Sequence, residues 1–381
     1  MTTVAEWLSE PGAGLEVEDD FDEINTQYLA RGWTDGLPVV PPTRRRIEDM
    51  LGYCDRPWNA PVATIAPNDS PATPLRIAVN AVMAGCRPEY FPVIVTAIEA
   101  MCEPAFNLNA IQSTTHLCAP LVIVNGPIAK ELGINSGYNA FGPGKHANAT
   151  IGRAIRLALI NIGGAVPEVG DMATLGSPAK YSYCVAENES ANPWQPLQVE
   201  RGHPAWSSAV TVMGLECPHN VHDRESSDAE GILTTIAGTM ANTGANDMYY
   251  AAHPLVVLCP EHATTIAHSG WNKARIKQFL FERARLPMSL FSKENIERRF
   301  RTGFSGRYAT AGMDAPVLMV QRPEHIVVIV VGGAGKHSAC FPTFGETVPI
   351  TRTINTRDGK LARSIHEFRS SARGQDDLHI G

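Results

Sequence analysis

The sequence predicts an α/β protein, with mixed sheets flanked by helices, and three observations carry that expectation. Continuous apolar runs of strand length recur in APLVIVNGPIAKELGI (119–134), HPLVVLCPEHATTIAHSGW (253–271) and HIVVIVVGGAG (325–335). Each breaks into glycine or proline, and the first two continue at helical spacing, the pattern of a buried strand feeding a helix. Between them lie segments of clear helical periodicity. Finally, 32 glycines and 28 prolines beside only 19% charged residues describe a compact, loop-rich chain rather than a disordered or coiled-coil one.

Along the chain, residues up to about 30 form a helical lead-in, followed by DGLPVVPPT, where Pro38, Pro41 and Pro42 enforce an extended segment. TPLRIAVNAVMAGC and PVIVTAIEAM predict two packed helices separated by a turn at Cys86–Glu89, with Pro92 in the first turn of the second. IGRAIRLALINIGG (151–164) is a helix ending in paired glycines, and AEGILTTIAGTMANTG (229–244) is one preceded by the candidate N-caps Ser226, Ser227 and Asp228. WNKARIKQFLFERARLP adds an amphipathic helix stopped by Pro287. The expected division is an N-terminal arm (1–45), a first α/β half (46–200), a second (201–350) and a C-terminal tail (351–381). The repeated order of proline, apolar strand, proline turn and helix reads either as an internally duplicated βα unit or as the ordinary look of βα units.

With 381 residues the chain buries an ample core without staples. The charge is mildly acidic, 39 Asp and Glu against 32 Lys and Arg, and no basic stripe offers a phosphate track, so nucleic acid is not an expected partner. No apolar stretch approaches the ~18 residues of a membrane span, and the acidic start MTTVAEWLSEPGAGLEVEDD lacks the form of a secretory signal, so the expected location is cytoplasmic. Eight cysteines without a CxxC pair read as reduced thiols. The arm and the proline-rich segment favour a homo-oligomer.

The most informative motif is an echo. Gly142-Pro143-Gly144-Lys145-His146-Ala147 and Gly333-Ala334-Gly335-Lys336-His337-Ser338 both spell G-x-G-K-H followed by a small residue. Glycine loops turn backbone N–H groups toward a ligand, a helix N-terminus adds partial positive charge and lysine a full one. Gly144, Lys145, Gly335, Lys336, His337 and Ser338 are therefore candidate binders of a small anionic substrate, and His146 a candidate proton carrier. Neither copy is a Walker loop, since Asn139 and Val330 stand where that motif requires glycine. The plainer alternative is a pair of glycine turns with exposed Lys-His dipeptides.

GLECPHNVHDRESSDAEG packs Cys217, His219, His222 and Asp223 into seven positions before a helix. His219 with Asp223 could serve as base and orienting carboxylate, all four could supply ligands to a divalent metal, or the loop could simply cap the helix. His116 and His253 stand at matching places before two buried strands, where both could face one cleft, and Asn125 after the first strand could hydrogen-bond a ligand carbonyl or stabilise its own turn. Cys86 is the candidate thiol nucleophile: Arg87 favours its thiolate, while a helix C-terminus opposes it. GDMATLGSPAKYSYCVAENES gathers Asp171, Lys180, Tyr181, Glu187 and Glu189, to line a pocket or form a subunit contact.

Taken together, NAVMAGCRPEYFPVIVTA, APLVIVNGPIAKELGINSG, FGPGKHANATIGRA, YSYCVAENES, PHNVHD, GILTTIAGTM and GWNKARIKQFLFERAR resemble a group of bacterial proteins related to, or associated with, the UGSC family of cysteine or selenocysteine proteins. The likeness runs from about residue 30 to 350. It implies no particular reaction, and the chain has neither selenocysteine nor a Cys-Gly-Ser-Cys run. The expected function is an enzyme of lyase, hydratase or hydrolase type acting on a small polar or anionic substrate, with His116, His146 or His219 and Asp223 moving protons. The alternatives are a thiol-dependent redox component using Cys86 or Cys217, and a non-catalytic binding or partner subunit.

Overall fold

The structure is a computed structural model that describes residues 14–54, 56–250, 252–303, 307–356 and 358–368. The outer ends of the expected arm and tail lie outside the described residues. After α1 (Phe21–Ala30) and α2 (Arg44–Leu51) comes a hairpin of β1 (Ala63–Ile65) and β2 (Ser70–Ala72), then α3 (Pro74–Met83), α4 (Phe91–Met101) and α5 (Leu108–Ser113). β3 (Ala119–Asn125), α6 (Pro127–Glu131), α7 (His146–Asn161), β4 (Cys184–Ala186), α8 (Leu197–Glu200) and β5 (Ala209–Leu215) follow. The remainder runs β6 (His219–His222), α9 (Ala229–Met240), β7 (Leu255–Leu258), α10 (Pro260–His268), α11 (Lys273–Arg283), the small pair β8 (Arg285–Pro287) and β9 (Pro316–Leu318), then β10 (Val327–Val330), β11 (His337–Phe341) and β12 (Ile350–Thr353).

Two four-stranded mixed sheets form the centre, with orders β12-β5-β3-β4 and β6-β11-β7-β10. In the first, β3 is parallel to β4 and antiparallel to β5, which is antiparallel to β12. In the second, β7 is parallel to β10 and antiparallel to β11, which is antiparallel to β6. Order and sense are the same in both. The outer fourth strand of each is supplied by the other half: β6 leaves β5 for the second sheet, and β12 leaves β11 for the first. The division expected near residue 200 does not coincide with a sheet boundary, because β5 belongs to the first sheet.

Alternate side chains explain why the inner strands β3, β5, β7 and β10 are buried along their whole length. Leu121, Ile123, Met213 and Leu215 of the first sheet meet Leu255, Val257, Val327, Ile329 and Phe341 of the second in one buried layer. Val122, Val124, Val210 and Val212 face a core made with α3, α4 and α7, while Val256, Leu258, Val328 and Val330 face α9, α10 and α11. Strands covered on both faces lose the polar half of the usual alternation. The result is four layers, helices on sheet on sheet on helices.

Local chemistry sets the helix ends. Thr73 caps α3 ahead of Pro74, Asp228 caps α9 by accepting the Gly231 N–H at 2.8 Å, and Asn272 caps α11. α7 begins at His146, one turn before its apolar periodicity starts, and closes near Gly164 with φ +77°. Among the described residues no single helix is long and apolar enough to cross a membrane. Every residue of α4 is buried, which accounts for its composition.

α7 seats closely on the entry to β4 at Gly152, where an added Cβ would lie 2.3 Å from the Tyr183 nitrogen and 2.4 Å from Ser182 Oγ. Gly152→Ala is expected to destabilise the fold by about 1–3 kcal/mol through this overpacking, measured as a lower urea midpoint with unchanged slope.

Candidate functional site

The register Ala119↔Leu215 brings the residues before β3 beside those after β5. His116 Nε2 thereby lies 2.7 Å from Glu216 Oε1, with the side chains 18% and 22% exposed. The imidazole is fixed at its backbone by N–H donation to Thr114 Oγ1 and at its face by Phe344. Glu216 is held by its own N–H to the Pro342 carbonyl and by Tyr183 Oη donating to its carbonyl. His116 Nδ1 is buried without a partner.

The linker from β11 to β12 gathers further groups here. Asp247 Oδ1 accepts from the N–H (2.9 Å) and Oγ1 (2.6 Å) of Thr343, while Oδ2 is buried and unpartnered. Burial pushes the Asp247 carboxyl up to about 7, and the Glu216 charge acts in the same direction. On the other side of Thr343, the His253 N–H donates to Thr343 Oγ1, and His253 Nδ1 lies 2.9 Å from the Thr347 carbonyl. Burial, then neighbouring His325 at 4.3 Å between ring centres, brings His253 down to about 4. His116 and His253 thus border one linker, as their matching places before β3 and β7 anticipate. Glu216 and Asp247, which give His116 its chemical setting, are absent from the sequence-based candidates.

At the opposite strand ends, Asn125 Nδ2 donates to Glu187 Oε2 (2.7 Å) and Glu189 Oε1 (3.1 Å). Glu187 also accepts from the Leu197 N–H and Asn192 Nδ2, and burial raises its pKa. Of the two roles open to this amide, a ligand contact or a bond that stabilises its own turn, the structure shows a strut between two carboxylates, one of which also accepts the Gly126 N–H. At the equivalent end of β7, Cys259 caps α10 and its N–H donates to Ser338 Oγ, which also lies 2.8 Å from His262 Nδ1. His262 Nε2 reaches the Asp223 carbonyl at 2.8 Å. Burial alone would raise the Cys259 thiol, but hydrogen bonding to His262 outweighs it and the net shift is downward. This enclosed thiol–imidazole pair was not anticipated, although Cys-Pro-x-His at a strand-to-helix junction is a readable signal.

The second Gly-Lys-His loop does not present its donors to a guest. The Gly335 N–H donates to Glu261 Oε1 at 2.7 Å, so the loop's anion is the chain's own carboxylate. Lys336 Nζ donates to the Arg224 carbonyl, His337 Nδ1 lies 3.0 Å from Asn220 Oδ1, and Ser338 is buried against Cys259 and His262. In the first loop Gly144 takes φ +114°, Lys145 is exposed ahead of α7 with no side-chain cap, and His146 Nδ1 approaches Tyr90 Oη at 3.4 Å. The loops touch through the Gly332 N–H on the Ser136 carbonyl and through Tyr138, which leaves no room for a side chain at Gly333.

His219 and Asp223 are not a dyad. Asp223 is spent on the Ser226 N–H and Oγ and on Thr235 Oγ1, which fasten the start of α9. His219 lies exposed on edge strand β6, opposite Cys340, while His222 meets His337 with ring centres 5.0 Å apart. Among the described residues no three His, Cys, Asp or Glu side chains form a group able to hold a metal ion, so Cys217, His219, His222 and Asp223 do not constitute the expected divalent-metal site. Cys86 is no nucleophile either: its Sγ donates to the Thr150 carbonyl and burial pushes the thiol up to about 12. The candidate histidines occupy three places: 116 by Glu216, 146 by Tyr90, and 219, 222 and 337 on the β6–β11 surface.

No protein-family model, curated protein or solved structure matches this chain.

Because Asp247 titrates higher folded than unfolded, its contribution to stability is full below about pH 4 and is lost as pH rises through about 7. Asp247→Asn keeps the Thr343 acceptor without the charge. It is expected to leave stability near pH 4 unchanged and to raise it at pH 8, by at most about 4 kcal/mol, in urea unfolding at both pH values.

Proposed function

We propose that the chain is an enzyme of lyase, hydratase or hydrolase type that performs acid–base chemistry on a small polar or anionic substrate, at the amino ends of β3 and β7. The observation that carries this reading is the His116–Glu216 pair at 2.7 Å, with Asp247 bonded to Thr343 on the linker whose next residue, Phe344, meets the His116 ring. Glu216 orients the ring, and Nδ1 is the nitrogen left for substrate. Asp247, whose carboxyl burial raises to about 7, supplies a group able to carry a proton near neutral pH. The unpartnered Nδ1 and Oδ2 are polar atoms that a guest would satisfy. The same reading has the protein act in the cytoplasm as a homo-oligomer, without nucleic acid or membrane as partner. Likeness to the UGSC-related group adds no reaction to it.

Purified protein incubated with a small-metabolite extract is expected to consume at least one polar metabolite, seen by mass spectrometry as gain or loss of water or as cleavage. His116→Gln and Glu216→Gln, folded by circular dichroism, should each slow that conversion about 100-fold or more. Absence of any protein-dependent change, or full turnover in both variants, would refute the reading.

A further inference from the structure

A cleft of about 680 Å³ opens between α7, residues 34–36 and the segment 165–181. Its size falls within the range of small-ligand pockets. The floor is charged. Lys180 Nζ holds both carboxylate oxygens of Asp171 at 2.6 Å, and Arg156 Nη1 lies 3.6 Å from the same carboxylate while its Nε donates to the Lys180 carbonyl. Asp35, the other carboxylate lining the cleft, is gripped by Arg153 through two bonds of 2.8 Å. Arg156, which is buried, and Lys180, which is partly exposed, therefore share one carboxylate, leaving one positive charge uncompensated among these groups. Burial lowers the Arg156 pKa, opposed by the charges of Asp171 and Asp35. Glu168, the nearest other carboxylate along the segment, is exposed and does not line the cleft.

The walls have the opposite character. Ile160 and Ala165 are buried in the wall, Pro167 and Pro178 line it as exposed residues, and Leu175 and Tyr181, 87% and 51% exposed, stand at the opening. Large apolar side chains so exposed mark a surface that an apolar body covers. The segment is also anchored, with the Thr174 N–H on the Thr115 carbonyl and Ser177 Oγ on the Leu117 carbonyl, so the cleft is a preformed part of the fold.

We propose that this cleft is a binding site for a small monocarboxylate carrying an apolar group, its carboxylate meeting Arg156 and Lys180 and its hydrocarbon part lying between Leu175, Pro178 and Tyr181. The site is independent of the acid–base reading, because its test is binding and needs no turnover. A monoanion is the fitting charge: it neutralises the surplus, whereas a dianion would leave the site negative.

Isothermal titration with benzoate, and with benzamide as its uncharged counterpart, tests this on the full chain. Benzoate should bind at least about tenfold more tightly than benzamide. Asp171→Asn frees both cations and should tighten benzoate about tenfold, and Lys180→Met should weaken it by a similar factor. Leu175→Asp, at a position so exposed that folding is not at issue, should weaken benzoate by placing a like charge at the opening. Equal affinity for benzoate and benzamide, no heat from either, or a benzoate affinity indifferent to Asp171→Asn and Leu175→Asp would each overturn the proposal.

Discussion

The apolar layer trapped between the two sheets is the constraint from which the rest follows. Leu121, Ile123, Met213 and Leu215 on one side and Leu255, Val257, Val327 and Ile329 on the other exclude water from the middle of the molecule. With the inner faces joined, each sheet has only its outer face left to cover, and the two helix layers do so. Polar chemistry is then confined to strand ends and connecting segments. That is where His116, Glu216, Asp247, Asn125, Glu187 and Cys259 all lie.

The identity of β3, β7 and β10 was legible for a physical reason, while β5, equally buried, was not singled out. Residues covered on both faces must all be apolar, and only short uninterrupted runs bounded by glycine or proline do this within a mixed fold. The pairing of strands was not legible, since nothing local in HNVH at β6 or ITRT at β12 says that each crosses to the other sheet. The site divides the same way. His116 stood out as a histidine before a buried strand, but its partner lies 100 residues away and is brought near only by the β3–β5 register. The Gly-Lys-His echo misled because a loop shaped for an anion can be filled from within. Glu261 occupies that role from the first turn of α10, where no sequence spacing relates it to Gly335.

The two halves also repeat an electrostatic arrangement. In the first, Arg156 and Lys180 share Asp171 beside α7; in the second, Lys273 and Lys277 share Glu200 beside α11, which holds the corresponding place between its two parallel strands. A cleft of about 1260 Å³ lies against the second group. Its lining departs from the first: Trp194 and Gln195 replace the exposed loop of residues 165–181, and Arg275 stacks on Trp271 at 4.0 Å. The two clefts thus share a pair of cations on one carboxylate and differ in their walls.

The reciprocal exchange of β6 and β12 has a bearing on how the polypeptide reaches its native form. As the chain leaves the ribosome, three strands of the first sheet are made by residue 215, yet the outer edge of β5 stays bare until residues 350–353 arrive. Early pairing with a stranger at that edge is the hazard such a delay creates. Gene truncations or fusions that separate the halves would leave each with an unfilled place, and two broken copies could complete one another across molecules.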